Sequence, residues 1–236
     1  MTYWKDDALA HAQSVFPAEA CGLVYAVGDD AHYYPCKNLS GHADHFKIGA
    51  RDYAACEEMG KIVAVFHSHP YARAKPSIAD LSSCESTGLP WHILSLPNIE
   101  WAYCAPSGFR APLIGRNFTH GIHDCYSIIR DGMMEYCGID IPDFERPDEW
   151  WKKGDNLYVE NFTKAGFVRV YEGPKPYDVI LMQVCANVAN HAALYLGDGV
   201  MLHHLYGRLS SREPYIGGYY KKHTLMIIRH EKLCAK

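Results

Sequence analysis

The chain has 236 residues, of which 48% are hydrophobic, 13% aromatic and 21% charged, and its net charge is −4. That composition excludes a disordered or fibrous chain, offers no basic field for nucleic acid, and allows one large domain or two modest ones. No apolar run reaches the 18 or so residues of a membrane span, so no membrane insertion is expected.

The opening stretch MTYWKDDALAHAQSVF lacks the basic start and long apolar core of a signal peptide, which predicts a protein that stays where it is made. Nine cysteines without a CxxC pair fit a reducing compartment better than a disulfide scaffold. In chain order, residues 3–16 predict an amphipathic helix with Trp4, Ala8, Ala12 and Val15 on one face, ended by Pro17. GLVYAV (22–27) predicts a strand, residues 50–60 a helix, and KIVAVFHSHP (61–70) a buried strand. A helix follows from Ser77, then strands at 91–96 and 100–105, which together make an α/β unit. The Pro- and Gly-rich stretch 106–116 is the expected linker between domains 1–105 and 117–236. Beyond it, 123–138 and 156–167 predict helices, and 177–184, 190–196, 200–205 and 224–229 predict strands, an α+β pattern.

HSHPYARAKPSIAD (67–80) carries the first chemistry. Alternation along a strand puts His67 and His69 on one face about 7 Å apart. Asp80, in the first turn of the next helix, can add an oxygen ligand, and two His plus one carboxylate with an open position is the layout of a catalytic zinc site. Ser77 and Asp80 taken alone read as an ordinary helix cap, and a lone His on a strand is usually a packed residue. The full pattern H-x-H-x7-S-x2-D arises by chance in only about a few such chains per thousand. The segment resembles the JAMM (MPN+) metalloprotease signature. That resemblance implies an α/β/α sheet domain with Zn2+ held by His67, His69 and Asp80, Glu19 in PAEACGLV as general base, and Ser77 as an oxyanion contact. Zinc lowers the pKa of a bound water to about 7, and a carboxylate within reach takes the proton.

Cys125 differs from the other eight cysteines in following Asp124 at a helix start, where free N–H groups and the helix dipole favour a thiolate. The other cysteines are expected to be small buried hydrophobes. A base and its orienting group are available in NHAALYLGDGVMLHHL. A three-residue loop, Gly197-Asp198-Gly199, would pair Leu196 with Val200 and Ala193 with His203, and leave His191 diagonal to His203 on one face. A two-residue loop would put the two rings on opposite faces. This half resembles the NlpC/P60 cysteine peptidases, whose core is papain-like. The resemblance implies Cys125 as nucleophile, His191 as base and His203 as orienting residue, while Tyr126-Ser127 replace the family's usual Ser-Gly.

The pairing of the two families on one short chain resembles proteins of bacteriophage tail tips. It implies other tail-tip proteins as partners and a location in the host cytoplasm during assembly, or in the virion tail. The substrates it implies are an isopeptide for the zinc centre and a peptidoglycan stem peptide for the cysteine centre. A non-lytic assembly factor that binds or processes tail-tip proteins is the alternative.

Overall fold

The structure is a computed structural model that describes residues 4–41 and 45–234. The chain forms two compact units, Met1–Arg110 and Ala111–Lys236. Among the described residues no helix is long and apolar enough to cross a membrane.

The first unit runs α1 (Trp4–Val15), β1 (Cys21–Val27), β2 (Asp30–Cys36), α2 (Ala50–Met59), β3 (Lys61–His69), α3 (Ile78–Thr87), β4 (Trp91–Ser95) and β5 (Glu100–Cys104). Its sheet has the order β2-β1-β3-β4-β5, antiparallel except for the parallel β3–β4 pair that α3 connects. Alternate residues of the central strands feed two cores. Leu23, Val65 and Trp91 pack with Cys56 of α2 and Cys84 of α3, whereas Phe66 and Leu94 pack with Ala8 and Ala12 of α1. Helices thus cover both faces, and odd-numbered residues of β3, His67 among them, point to the side of α2 and α3. The strand β2 escapes a pattern-based reading because Asp30 and Pro35 are poor strand formers. At a sheet edge the missing proline N–H is tolerated. Across the ladder from Pro35 stands Gly22, where a Cβ would lie 2.4 Å from the Tyr33 ring, so the hairpin requires glycine there.

The second unit contains α4 (Cys125–Cys137), a 3₁₀ turn (Trp150–Lys153), α5 (Leu157–Asn161), β6 (Phe167–Val170), β7 (Val179–Met182), β8 (His191–Gly197), β9 (Val200–His203), β10 (Ser211–Pro214), α6 (Tyr219–Lys222) and β11 (Thr224–His230). Its six strands form one antiparallel sheet in the order β10-β9-β8-β7-β11-β6. Ile128, Ile129 and Met133 of α4 pack on Leu181, Ala192, Leu194 and Leu202, and the other face buries Ile180, Met182, Ala193, Met201 and Tyr215. Helix α4 comes close to β8 at Gly132, where a Cβ would meet Leu194 at 2.7 Å. Residues just past the expected domain boundary are built into this unit. Leu113 lies in its core, and the buried Arg116 pairs with Asp131 and with the carbonyls of Ala111 and Pro112.

Two expectations change here. The helix expected over 156–167 is only the five residues of α5. Gly166, at φ +79, sits where a Cβ would lie 2.7 Å from His230, and the chain leaves it directly as the strand β6. The β8–β9 hairpin also turns differently. Gly197, not Leu196, pairs with Val200, and a bulge at Leu196 separates that pair from Tyr195–Met201. Asp198 and Gly199, at φ +50 and +76, form the two-residue turn with both central residues left-handed. A two-residue turn alone would have put the imidazoles on opposite faces. The extra bulge residue restores the parity, and Ala193 still pairs with His203.

Candidate metal centre and cysteine site

Three elements build the first site. His67 and His69 end β3, and Asp80 is the third residue of α3. One ligand atom from each of the three lies within 4.8 Å of the others. His67 Nε2 is 3.0 Å from His69 Nε2 and 3.3 Å from one Asp80 oxygen, while His69 Nε2 is 3.5 Å from the other. Ring packing holds His67, which stacks on Phe46 at 4.7 Å between centroids and meets Trp91 edge-on at 5.5 Å. A hydrogen bond of 2.9 Å between Nδ1 and the Arg73 carbonyl fixes the His69 ring and leaves its Nε2 facing inward.

Asp80 is also half of a complete capping box, for its carboxylate accepts from Ser77 N–H and its own N–H donates to Ser77 Oγ. Ser77 therefore is the helix cap, and its hydroxyl proton remains available to donate. Burial would raise the Asp80 carboxyl. The hydrogen bonds from His67, His69 and Ser77 outweigh it and hold the carboxyl well below the ordinary range, so it stays an anion. Burial lowers the pKa of His67, against the pull of Asp80. Glu19, the residue before Ala20 and β1, is buried. Its backbone is pinned by Asn38, and Ala20 N–H donates to Ser68 Oγ, which ties this entry segment to the strand that carries the histidines. Its charge acts on His69. Two imidazole nitrogens and an ionised carboxylate converging on one point fit a zinc ion.

The second site uses a helix end and a hairpin. Asp124 caps α4, accepting from the N–H groups of Tyr126 and Ser127 with one oxygen and from Gly121 with the other. Its second oxygen also pairs with Arg146 at 2.8 Å. Ser127 completes a capping box by taking the Asp124 N–H on its Oγ, so the departure from the family's Ser-Gly is absorbed in the helix cap. The helix start holds Cys125 at the beginning of β8, with Sγ 3.9 Å from the carbonyl of Asn190 and 3.1 Å from the Tyr158 hydroxyl. His191 and His203 are joined Nε2 to Nδ1 at 3.0 Å. Behind them His203 Nε2 lies 3.4 Å from Glu213.

The expectation of a thiolate favoured by the helix start meets a stronger opposing effect. Burial, and then the Asp124 charge, push the Cys125 thiol up to about 11 despite the Tyr158 hydrogen bond, so this is a neutral thiol. Burial likewise pushes His191 down to about 3, with the neighbouring His203 and His204 adding to the effect. Among the other cysteines, Cys21, Cys36, Cys56, Cys84 and Cys104 are buried as expected. Cys185 and Cys234 are exposed and Cys137 is half-buried, because they lie in a loop and at helix ends rather than inside the sheet core. Tyr158, Arg146, Glu213 and the ring pair around His67 carry no spacing signal in the sequence. Tyr158, Arg146 and the ring pair reach their sites from segments more than twenty residues away along the chain, and Glu213 from the edge strand that follows β9.

Comparison with known proteins agrees with this division. Residues 2–103 match the family of prokaryotic homologues of the JAB domain, and residues 115–229 match the NlpC/P60 family. The tail tip assembly protein K of Escherichia phage N15 is 39% identical over 230 residues, 96% of this chain and 93% of that protein. The protein of the same name from Escherichia phage lambda is 39% identical over 78% of this chain and 89% of its own. A solved structure described as a metalloprotease-like JAMM zinc site is 22% identical over 45% of this chain and 85% of its own, with a TM-score of 0.30.

Proposed function

Because this chain belongs to the family of tail tip assembly protein K, with a JAB-type unit followed by an NlpC/P60 unit, we propose that it serves phage tail-tip assembly through two peptidase centres. The first is a zinc-dependent (iso)peptidase and the second a cysteine endopeptidase that acts on peptidoglycan stem peptides. The observation that carries the reading is the convergence of His67, His69 and Asp80 on one point while the thiol of Cys125 is set beside the start of the His191 strand.

In the first unit His67, His69 and Asp80 would hold Zn2+, and the chemistry the ion would supply there is an acidified water and a polarised amide carbonyl. Glu19, buried at the mouth of β1, takes the proton and later returns it to the leaving amine. The Ser77 hydroxyl, already an acceptor in the helix cap, donates to the developing oxyanion. In the second unit His191 takes the Cys125 proton, the sulfur attacks the amide carbon, and the same imidazole protonates the departing amine before water releases the acyl group. His203 orients His191 through the 3.0 Å contact.

A second reading has an observation of its own. In this state Cys125 is a neutral thiol beneath the Tyr158 hydroxyl, as suits an assembly factor that binds or processes other tail-tip proteins and keeps wall hydrolysis latent. The experiment is incubation of the full chain with purified peptidoglycan, in parallel with Cys125→Ala and His67→Ala. Muropeptide release lost only in Cys125→Ala supports the wall-hydrolase reading. No release by the wild type, together with tail assembly rescued by both variants, overturns the two-peptidase reading in favour of a binding role.

A further inference from the structure

The polar groups behind the cysteine site form a chain longer than a triad. Glu213 sits on the edge strand β10, whose Ser211 pairs with His203 of β9. Alternation therefore brings the Glu213 side chain to the same face as His203, two residues further along the edge. One carboxylate oxygen, Oε1, lies 3.4 Å from His203 Nε2, 3.1 Å from Arg208 Nη2 and 3.2 Å from Ser211 Oγ. The other accepts a 2.8 Å hydrogen bond from the Tyr220 hydroxyl. The Tyr220 ring also packs edge-on against the His203 ring at 4.9 Å. The carboxylate is thus held from three sides and aimed at an imidazole that is almost wholly buried.

We propose that Glu213 is a positioning residue of the cysteine site, which selects the nitrogen of His191 that acts as the base. The inference rests on the cysteine-peptidase reading above and follows from hydrogen-bond valence. An ionised carboxylate only accepts, so His203 Nε2 must carry the proton toward Glu213. A neutral imidazole has one N–H, which makes His203 Nδ1 an acceptor. The 3.0 Å contact then requires the hydrogen on His191 Nε2, and the lone pair is left on His191 Nδ1, the nitrogen that does not face His203. The reverse tautomers would place a hydrogen on His191 Nδ1 and remove the base. Burial keeps both rings below their ordinary pKa, so the neutral-imidazole premise holds near neutral pH. When His191 takes the thiol proton, the same carboxylate stabilises the positive charge through His203. The groups facing this chain are His204 near His191, and Arg208, Tyr220 and Ser211 around Glu213.

The test needs no substrate. Alkylation of Cys125 in the full chain by iodoacetamide is followed by peptide mass spectrometry across pH 5–10, with exposed Cys185 as internal reference. The tautomers of His191 and His203 are read separately from their ring ¹⁵N shifts. Glu213→Leu is expected to slow Cys125 alkylation at pH 7 about tenfold relative to Cys185 and to mix the His191 tautomers. Glu213→Gln keeps a carbonyl acceptor, so it should retain the wild-type tautomer and most of the rate. Equal rates and a single unchanged tautomer in all three proteins would overturn the role of Glu213. Cys125 alkylation equally fast in His191→Ala, with Glu213 still setting the His191 tautomer in the wild type, would instead sink the cysteine-peptidase reading on which the role depends.

Discussion

In the first unit the three proposed ligands come from one window of chain, His67 to Asp80, and they gather lone pairs around a point. In the second unit the proposed working groups are spread from Cys125 to Glu213, and His191, His203 and Glu213 among them form a chain of alternating donors and acceptors. A ligand cluster needs only a strand end, a turn and a helix start, and β3 and α3 supply them in succession. A proton relay needs directional order along its length, which here takes a helix N-terminus and three neighbouring strands. Under the proposed function the first kind of site depends on an ion, and the second on its own internal valence.

The sharpest way to break the comparison is to remove the thiol. Cys125→Ala should lower any thiol-dependent peptidoglycan cleavage by about 10⁴-fold or more, with zinc content unchanged by elemental analysis. Equal cleavage by the variant would mean that the two centres are not separate.

Asp124 is the structural weak point of the second unit, since it satisfies three backbone N–H groups and the buried Arg146 guanidinium. Asp124→Ala should destabilise that unit by about 3 kcal/mol in urea unfolding, because it removes the cap of α4 and one of the two carboxylates that pair with Arg146. The same contacts set an acid limit. Burial works against the Asp124 anion, but Arg146 and the backbone N–H groups prevail and hold its pKa below the ordinary value. The folded state thus binds this proton less readily than the unfolded chain, which titrates near about 3.9. The stabilisation is complete above that pH and lost as pH falls through the lower folded value. Circular dichroism from pH 6 to 2 should show the loss in the wild type and a flatter profile in Asp124→Asn.

In the first unit, His69→Ala should weaken zinc binding by at least about a hundredfold in competition with a chelating dye. It should leave Cys125 alkylation untouched. The smallest effect is expected from Tyr158→Phe. The Tyr158 hydroxyl is the nearest group that lowers the Cys125 pKa, so its removal should slow alkylation at pH 8 by about threefold. Faster alkylation in this variant would show that Tyr158 acts chiefly as a cover.

Much of the fold is legible along the chain. The strand carrying His67 and His69, the capped helix behind Ser77, and the helix opening at Cys125 follow from alternation, cap residues and turn signals. The polar edge strands β2 and β10 are not, because one-sided pairing relaxes the hydrophobic pattern. The hairpin register shows the limit most clearly. Gly197-Asp198-Gly199 admits two turns of opposite parity, and the bulge at Leu196 decides which faces meet.

The sequence by itself determined which residues are proposed to bring chemistry to this protein: two histidines and an aspartate at ligand spacing, and a cysteine at a helix start beside a histidine-bearing hairpin. Only the tertiary structure decided the state of those groups. Burial fixes whether Cys125 is a thiol and His191 a neutral ring, and it depends on Tyr158 and the packing of α4 on β8. The direction of the relay depends on Glu213, which reaches His203 across a strand pair. Protonation energies follow local solvation and charge in space, and neither is a function of distance along the chain.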